Sequence, residues 1–313
     1  MSKPRIGVLV MSYGTPASLD QIEAYYTHIR RGNAPTSEML LDLTRRYEAI
    51  VGGFFPLREN TNKQVQALEE TLNRLNPETE FVCYQGLKHA HPMIEEGVEQ
   101  MVKDGITQAI GVVLAPHYST MSVGSYIKRA EATAAEKGLS IQFVESYHLQ
   151  PKLLDALCIR VENALKLFTE VDREQVRIIF TAHSLPERIL SIGDPYPQQL
   201  LETSQAIADR LNLTNWQFGW QSAGRTAEPW LGPDILSVLR TISVDEQVKQ
   251  ALVCPVGFVS DHLEVLYDLD IEAQALAKEL GLHLERTAAL NTDPLYMEAL
   301  SEAIAVNLER KQA

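Results

Sequence analysis

The chain has 313 residues, with 41 Asp and Glu against 28 Lys and Arg, a net charge of −13, 45% hydrophobic residues and 22% charged ones. That composition is typical of a globular protein long enough for two domains, and its acidity argues against nucleic acid, whose phosphates call for clustered Lys and Arg. Cys83, Cys158 and Cys254 form no CxxC pair, so no iron–sulfur cluster or structural zinc site is suggested, and no apolar run is long enough to span a membrane.

The first residues, MSKPRIGVLVMSYG, run from a charged start directly into a strand-like segment with no signal-peptide pattern, so the expected compartment is the cytoplasm. Strands are predicted at 5–11, 81–85, 109–115 and 141–146, and a second set at 176–182, 216–220, 251–256 and 282–287. Helical stretches separate them. This alternation predicts an α/β protein made of two similar doubly wound, Rossmann-like domains, each a four-stranded parallel sheet flanked by helices, with a cleft between them. The strand ends echo one another: MSYGTP with TAHSLP, and LAPHYS with CPVGFVSD. The domains are placed at 1–160 and 161–313. Ligands in such folds lie beyond the carboxyl ends of strands, which makes Tyr13, His117, His183 and Glu264 candidates for one shared site. No GxGxxG follows the first strand and no GxxxxGK[ST] occurs, which argues against dinucleotide and P-loop chemistry.

Residues 28–63 carry Arg30, Arg31, Arg45, Arg46 and Arg58 in an otherwise acidic protein. They read either as helix-face charge paired with Glu38, Asp42, Glu48 and Glu59, or as a lip that binds carboxylates, for which the two-pronged guanidinium is well shaped. In GFVSDHLEVLYDLDIE, Glu264, Asp268 and Glu272 recur every four residues with no Lys or Arg three or four positions away. Asp261 could cap that helix in a box with Glu264, and Leu266, Leu269, Ala273, Leu276 and Leu280 form its expected core stripe. His183, at the end of a buried-looking strand, is expected opposite Glu264; an imidazole with a carboxylate can move protons or hold a divalent metal weakly.

TAHSLPERI, WQSAGRTAEPWLGPD, PVGFVSDHLEVLYDLD, YYTHIRRG and LAPHYSTMSVGSY together resemble, in fixed order along nearly the whole chain, the signature stretches of ferrochelatases. The likeness is strongest to the soluble, monomeric branch of Gram-positive bacteria. It implies insertion of ferrous iron into coproporphyrin III to give coproheme, with iron and porphyrin as substrates and no permanently bound cofactor. It also implies His183 and Glu264 as catalytic and metal-binding residues, and Asp268 and Glu272 as an acidic ladder leading from them. Tyr13, Arg30, Arg31, Arg46, Tyr47, Phe55 and Tyr126 match positions around the porphyrin; Lys88 and His89 lie in a matching segment. Where relatives read GG, an aliphatic residue and Ser, this chain reads Gly52, Gly53, Phe54 and Phe55, and Phe55 has no hydroxyl to offer a propionate. Tyr13, where the protoporphyrin branch usually has methionine, favours coproporphyrin. Protoporphyrin IX ferrochelatase, another metal or tetrapyrrole chelatase and a non-catalytic coproheme carrier are the alternatives. A monomer with transient contact to coproheme decarboxylase is the expected arrangement.

Overall fold

The structure, a computed structural model, describes residues 3–51, 55–245 and 248–309. Eight strands form two sheets. The first contains β1 (Arg5–Ser12), β2 (Glu80–Leu87), β3 (Gln108–Val113) and β4 (Ser140–Val144), and the second β5 (Arg177–His183), β6 (Trp216–Gln221), β7 (Gln250–Cys254) and β8 (His283–Arg286). Both have the same order, β2-β1-β3-β4 and β6-β5-β7-β8, and every pairing is parallel. Each strand lies within two residues of its predicted position.

Parallel strands covered on both faces should be apolar without alternation, and Val8, Leu9, Val10 and Met11 are indeed fully buried in succession. Helix packing on this sheet depends on small residues. A Cβ at Gly97, in the helix Ile94–Lys103, would lie 2.7 Å from the Gln85 carbonyl oxygen, so only glycine lets that helix sit on β2. In the second sheet, the helix Ile235–Ser243 buries Ile235, Val238, Leu239 and Ile242 in a core with Ile179, Val253 and Leu269.

The compact units are Met1–Tyr147 together with Asn291–Ala313, and His148–Leu290. They differ from a cut between residues 160 and 161. The helix Pro151–Leu165 packs on the helix Tyr196–Leu211 and on β7, so it belongs with the second sheet. The C-terminal helix Pro294–Glu309 returns to the first unit, where it packs on the helix Pro56–Leu75 and on β4. There the Tyr296 hydroxyl lies 3.1 Å from that of Tyr147, and Arg74 pairs with Glu298 at 3.1 Å. No helix among the described residues is long and apolar enough to cross a membrane.

Candidate active site

In both sheets the strand order reverses direction beside the first strand, between β1 and β3 and between β5 and β7, and the loops beyond these carboxyl ends are where such folds bind ligands. In the second unit β5 ends on His183, the neighbouring Ser184 N–H donates to the Gln221 carbonyl (2.8 Å), and the Tyr196 hydroxyl donates to the His183 carbonyl (3.1 Å). After β7 the chain crosses this strand end through Gly257, whose N–H donates to the Thr181 carbonyl (3.1 Å). A Cβ on Gly257 would lie 2.4 Å from the Ala182 Cβ, so glycine is required for that crossing. The crossing brings Leu263–Leu266, a single helical turn, against His183.

Glu264 stands between two imidazoles. Its Oε1 is 3.4 Å from His183 Nε2 and its Oε2 is 3.4 Å from His262 Nε2. His183 Nδ1 donates to the Ser184 carbonyl and His262 Nδ1 donates to that of Ser260 (2.9 Å). Because a carbonyl only accepts, each neutral ring carries its proton on Nδ1 and its lone pair on Nε2, facing the carboxylate. A hydrogen bond from the far ring nitrogen orients histidine metal ligands in the same manner. Phe258 packs between the rings, with centroids 4.8 Å from His262 and 6.5 Å from His183.

Burial opposes charge on His183, but the adjacent Glu264 carboxylate, its hydrogen bond, the Ser184 carbonyl and the Asp268 charge outweigh it and raise the imidazole to about 9. Burial likewise opposes charge on Glu264, and the two histidines together hold it well below the usual carboxylate range. The free protein at neutral pH therefore holds an imidazolium–carboxylate pair whose side chains are still 32% and 35% exposed. The pair is reachable and holds one exchangeable proton on Nε2.

The acidic ladder is not a plain α-helix. Asp268–Ala273 is π-helical, and the Glu272 N–H reaches back five residues to the Tyr267 carbonyl (3.0 Å). A wider turn moves residues four apart out of line, and Asp268 turns inward, 7% exposed, to accept from the Ser222 hydroxyl. Asp261 does not cap this turn. His262 is the cap residue, and Asp261 accepts from Arg286 (3.2 Å) instead. The core stripe is Val265, Leu269, Ala273 and Ala277, with Leu276 and Leu280 partly buried beside it and Leu266 outside it. His183 and Glu264 can offer a metal one nitrogen and one oxygen. Among the described residues no three His, Cys, Asp or Glu side chains converge on one metal position.

The first unit places different chemistry at its strand ends. Tyr13, just past β1, is 41% exposed and leans on His89, with centroids 4.6 Å apart; His89 Nδ1 is 2.9 Å from His28 Nδ1. Lys88, just past β2, donates from Nζ to the Ser125 hydroxyl (2.7 Å) with its ammonium 4.8 Å from the Tyr126 ring centroid. Burial, Arg129 and Arg31 lower the Lys88 ammonium to about 8. Arg129 is held by Glu95 through two bonds of 2.7 and 2.6 Å. Arg31 has a left-handed backbone (φ 56°), while Arg30 donates to the Asn33 carbonyl (3.2 Å) and lies 5.8 Å from the Tyr26 ring centroid. Arg46 pairs with Asp42 at 3.2 Å, the helix-face partner anticipated from spacing. Tyr47 and Phe55 are buried against each other (centroids 4.9 Å), with the Tyr47 hydroxyl 3.1 Å from Thr15 Oγ1. Gly52, Gly53 and Phe54 lie outside the described residues. His117 is buried.

The ferrochelatase family model matches residues 5–308, nearly the whole chain. The chain belongs to the ferrochelatase family. Relatives named coproporphyrin III ferrochelatase include one from Halalkalibacterium halodurans, 47% identical over 100% of both chains. A second, from Bacillus subtilis, is 45% identical over 99% of this chain and 100% of its own. Among solved structures, SirB from Bacillus subtilis with Fe3+ superposes with a TM-score of 0.62 at 12% identity, covering 97% of this chain and 95% of that one, a likeness of fold alone. Within this ferrochelatase-family fold, sequence reading singled out His183 and Glu264 but missed His262 as the second imidazole on Glu264 and Ser222 as the partner of Asp268. His262 sits two residues before Glu264 in a quoted motif, so attention to every histidine there would have found it. Ser222 also lies in a motif, WQSAGRTAEPWLGPD, but nothing in that motif points to Asp268, because the approach depends on a left-handed backbone at Ser222 (φ 60°) and spans 46 residues of chain.

Proposed function

We propose that this protein inserts ferrous iron into coproporphyrin III, releasing two pyrrole protons and forming coproheme. The observation that carries this reading is Glu264 held between two imidazoles whose Nε2 atoms both face it. The names of the relatives, coproporphyrin III ferrochelatase at 44–47% identity over the full chain, support the choice of porphyrin.

The residues suit each part of such a reaction. A dication arriving at Glu264 lowers the affinity of His183 for its proton, which leaves through the exposed side of the pair and frees the Nε2 lone pair. The neutral imidazole then accepts one pyrrole proton, and the Glu264 carboxylate, once the metal has left it for the ring nitrogens, accepts the second; both protons pass to solvent through the exposed side of the pair. Asp268 and Glu272 supply oxygen ligands further along the π-helical segment, and carboxylates hold ferrous iron weakly enough to pass it on. In the first unit, Lys88, with Arg31 and Arg129 near it, is suited to the negative propionates, and Arg30, Arg46, Tyr47 and Tyr126 complete the porphyrin-binding set. Tyr13 is suited to the ring face and to the iron of the product. Phe55 serves this set by packing on Tyr47. In this reading the protein works in the cytoplasm as a monomer, keeps no permanent cofactor and passes coproheme to a decarboxylase.

The test is anaerobic absorbance of coproporphyrin III with ferrous iron, for wild type and His183→Ala, each corrected for spontaneous insertion. Rapid coproheme formation that falls by about 10²–10⁴-fold in the variant, with porphyrin binding retained, is expected. Tight porphyrin binding with no acceleration would instead identify a carrier, and faster insertion into protoporphyrin IX would identify the wrong porphyrin.

A further inference from the structure

One guanidinium ties together the segment that carries the carboxylates. Arg286, the last residue of β8, donates from Nε to Asp270 Oδ1 (2.6 Å) and from Nη2 to Asp270 Oδ2 (2.8 Å), a two-pronged pair. The same Nη2 also donates to Asp261 Oδ1 (3.2 Å), and Nη1 donates to the Thr287 carbonyl (3.1 Å). The Arg286 side chain is 18% exposed, unlike a freely solvated surface arginine. β8 is itself fixed to β7, with Arg286 opposite Val253.

The positions of the two aspartates matter most. Asp261 directly precedes His262, and Asp270 lies within the π-helical segment, so the guanidinium joins the two ends of the stretch that presents His262, Glu264 and Asp268. A π-helical turn breaks the regular α ladder, so its position depends on ties from outside the helix. Such ties include Gln221 Nε2 donating to the Glu264 carbonyl (3.2 Å), the Ser222 hydroxyl donating to Asp268, and Arg286, which reaches both Asp261 and Asp270. Arg286 also neutralises Asp261 and Asp270, which leaves Glu264 and Asp268 as the carboxylates directed at His183 and Ser222.

We propose that Arg286 is a positioning residue for metal delivery: through Asp261 and Asp270 it holds Glu264 and Asp268 at the height where they receive the metal. This rests on the chelatase reading above. Lysine does not substitute for it, because an ammonium on a flexible stem cannot make a two-pronged bond to Asp270 while also reaching Asp261.

The experiment compares wild type with Arg286→Lys, Arg286→Gln and Asp270→Asn, the last keeping the side-chain shape and removing one partner's charge. Insertion kinetics are measured with Zn2+ and with anaerobic Fe2+, varying metal and porphyrin separately, alongside thermal unfolding and amide hydrogen exchange. Expected are a 10–100-fold fall in kcat/KM for metal, the scale typical of outer-shell partners, porphyrin KM within about twofold, and no rescue by lysine. Amides of residues 262–273 lose protection while those of β5 and β7 keep theirs. Unchanged metal kinetics in folded variants would overturn the proposal, as would equal losses toward metal and porphyrin together with a general loss of protection. If wild type inserts no metal, the chelatase reading fails by itself, and hydrogen exchange still decides the tie: protection unchanged at 262–273 in Arg286→Gln would reject it.

Discussion

The two sheets have one topology and opposite chemistry at equivalent points. β1 leads into Tyr13, an exposed phenol leaning on His89, with the ammonium of Lys88 just past β2. β5 ends on His183, which faces Glu264, and the loop after β6 supplies Ser222, which holds Asp268. One scaffold thus presents cations and a phenol, the other an imidazolium–carboxylate pair and further carboxylates. The fold decides where side chains emerge, and the few residues beyond each strand end decide what they can bind.

The largest expected effect breaks the second unit's chemistry. Glu264→Gln should lower insertion on the order of 10³-fold while leaving porphyrin affinity unchanged. It should also move the pH profile. In the wild type, kcat/KM should rise with pH toward about 9, because in this reading His183 must shed a proton that Glu264 stabilises. Without that carboxylate the opposing effect of burial remains, so the rising limb should move to lower pH; a limb that stays in place would remove His183 from the proton transfer.

Phe55→Ser tests whether this position belongs to the first unit's binding chemistry or to its core. Phe55 is 6% exposed and packed on Tyr47, so chemical denaturation should show a loss of about 3 kcal/mol. An unchanged stability with tighter porphyrin binding would assign it to the porphyrin rim instead.

Lys88→Met should weaken coproporphyrin binding about tenfold, the scale of a hydrogen bond to a charged group, and leave metal KM alone. The Lys88 ammonium sits at about 8, so it is charged at pH 7, and wild-type affinity should fall as pH rises through 8. A titration showing the same pH dependence in Lys88→Met would place that charge elsewhere. The smallest kinetic change is expected for Tyr13→Phe, which should turn over within a few fold of wild type but lose the iron–phenolate band of its product; a product spectrum identical to wild type would exclude Tyr13 as an iron ligand.

Much of this was legible in one dimension. Buried parallel strands are short runs of Val, Ile and Leu, a signal carried by each segment alone, and all eight appeared within two residues of their places. His183 and Glu264 were legible because they sit in long motifs. The π-helical turn was not, since a four-residue spacing reads the same whether the helix closes at the fourth residue or opens to the fifth. Nor was the return of the C-terminal helix to the first unit, which rests on Tyr296 meeting Tyr147 across 149 residues of chain. The sequence by itself determined the strands, the fold class and the pairing of His183 with Glu264 in the candidate site. Only the tertiary structure decided which groups partner Glu264 and the neighbouring carboxylates: His262 on the far side of Glu264, Ser222 on Asp268, and Arg286 across Asp261 and Asp270. The reason is physical: periodicity reports which face of an element is apolar, whereas a polar partner is set by register and loop path between segments distant in sequence.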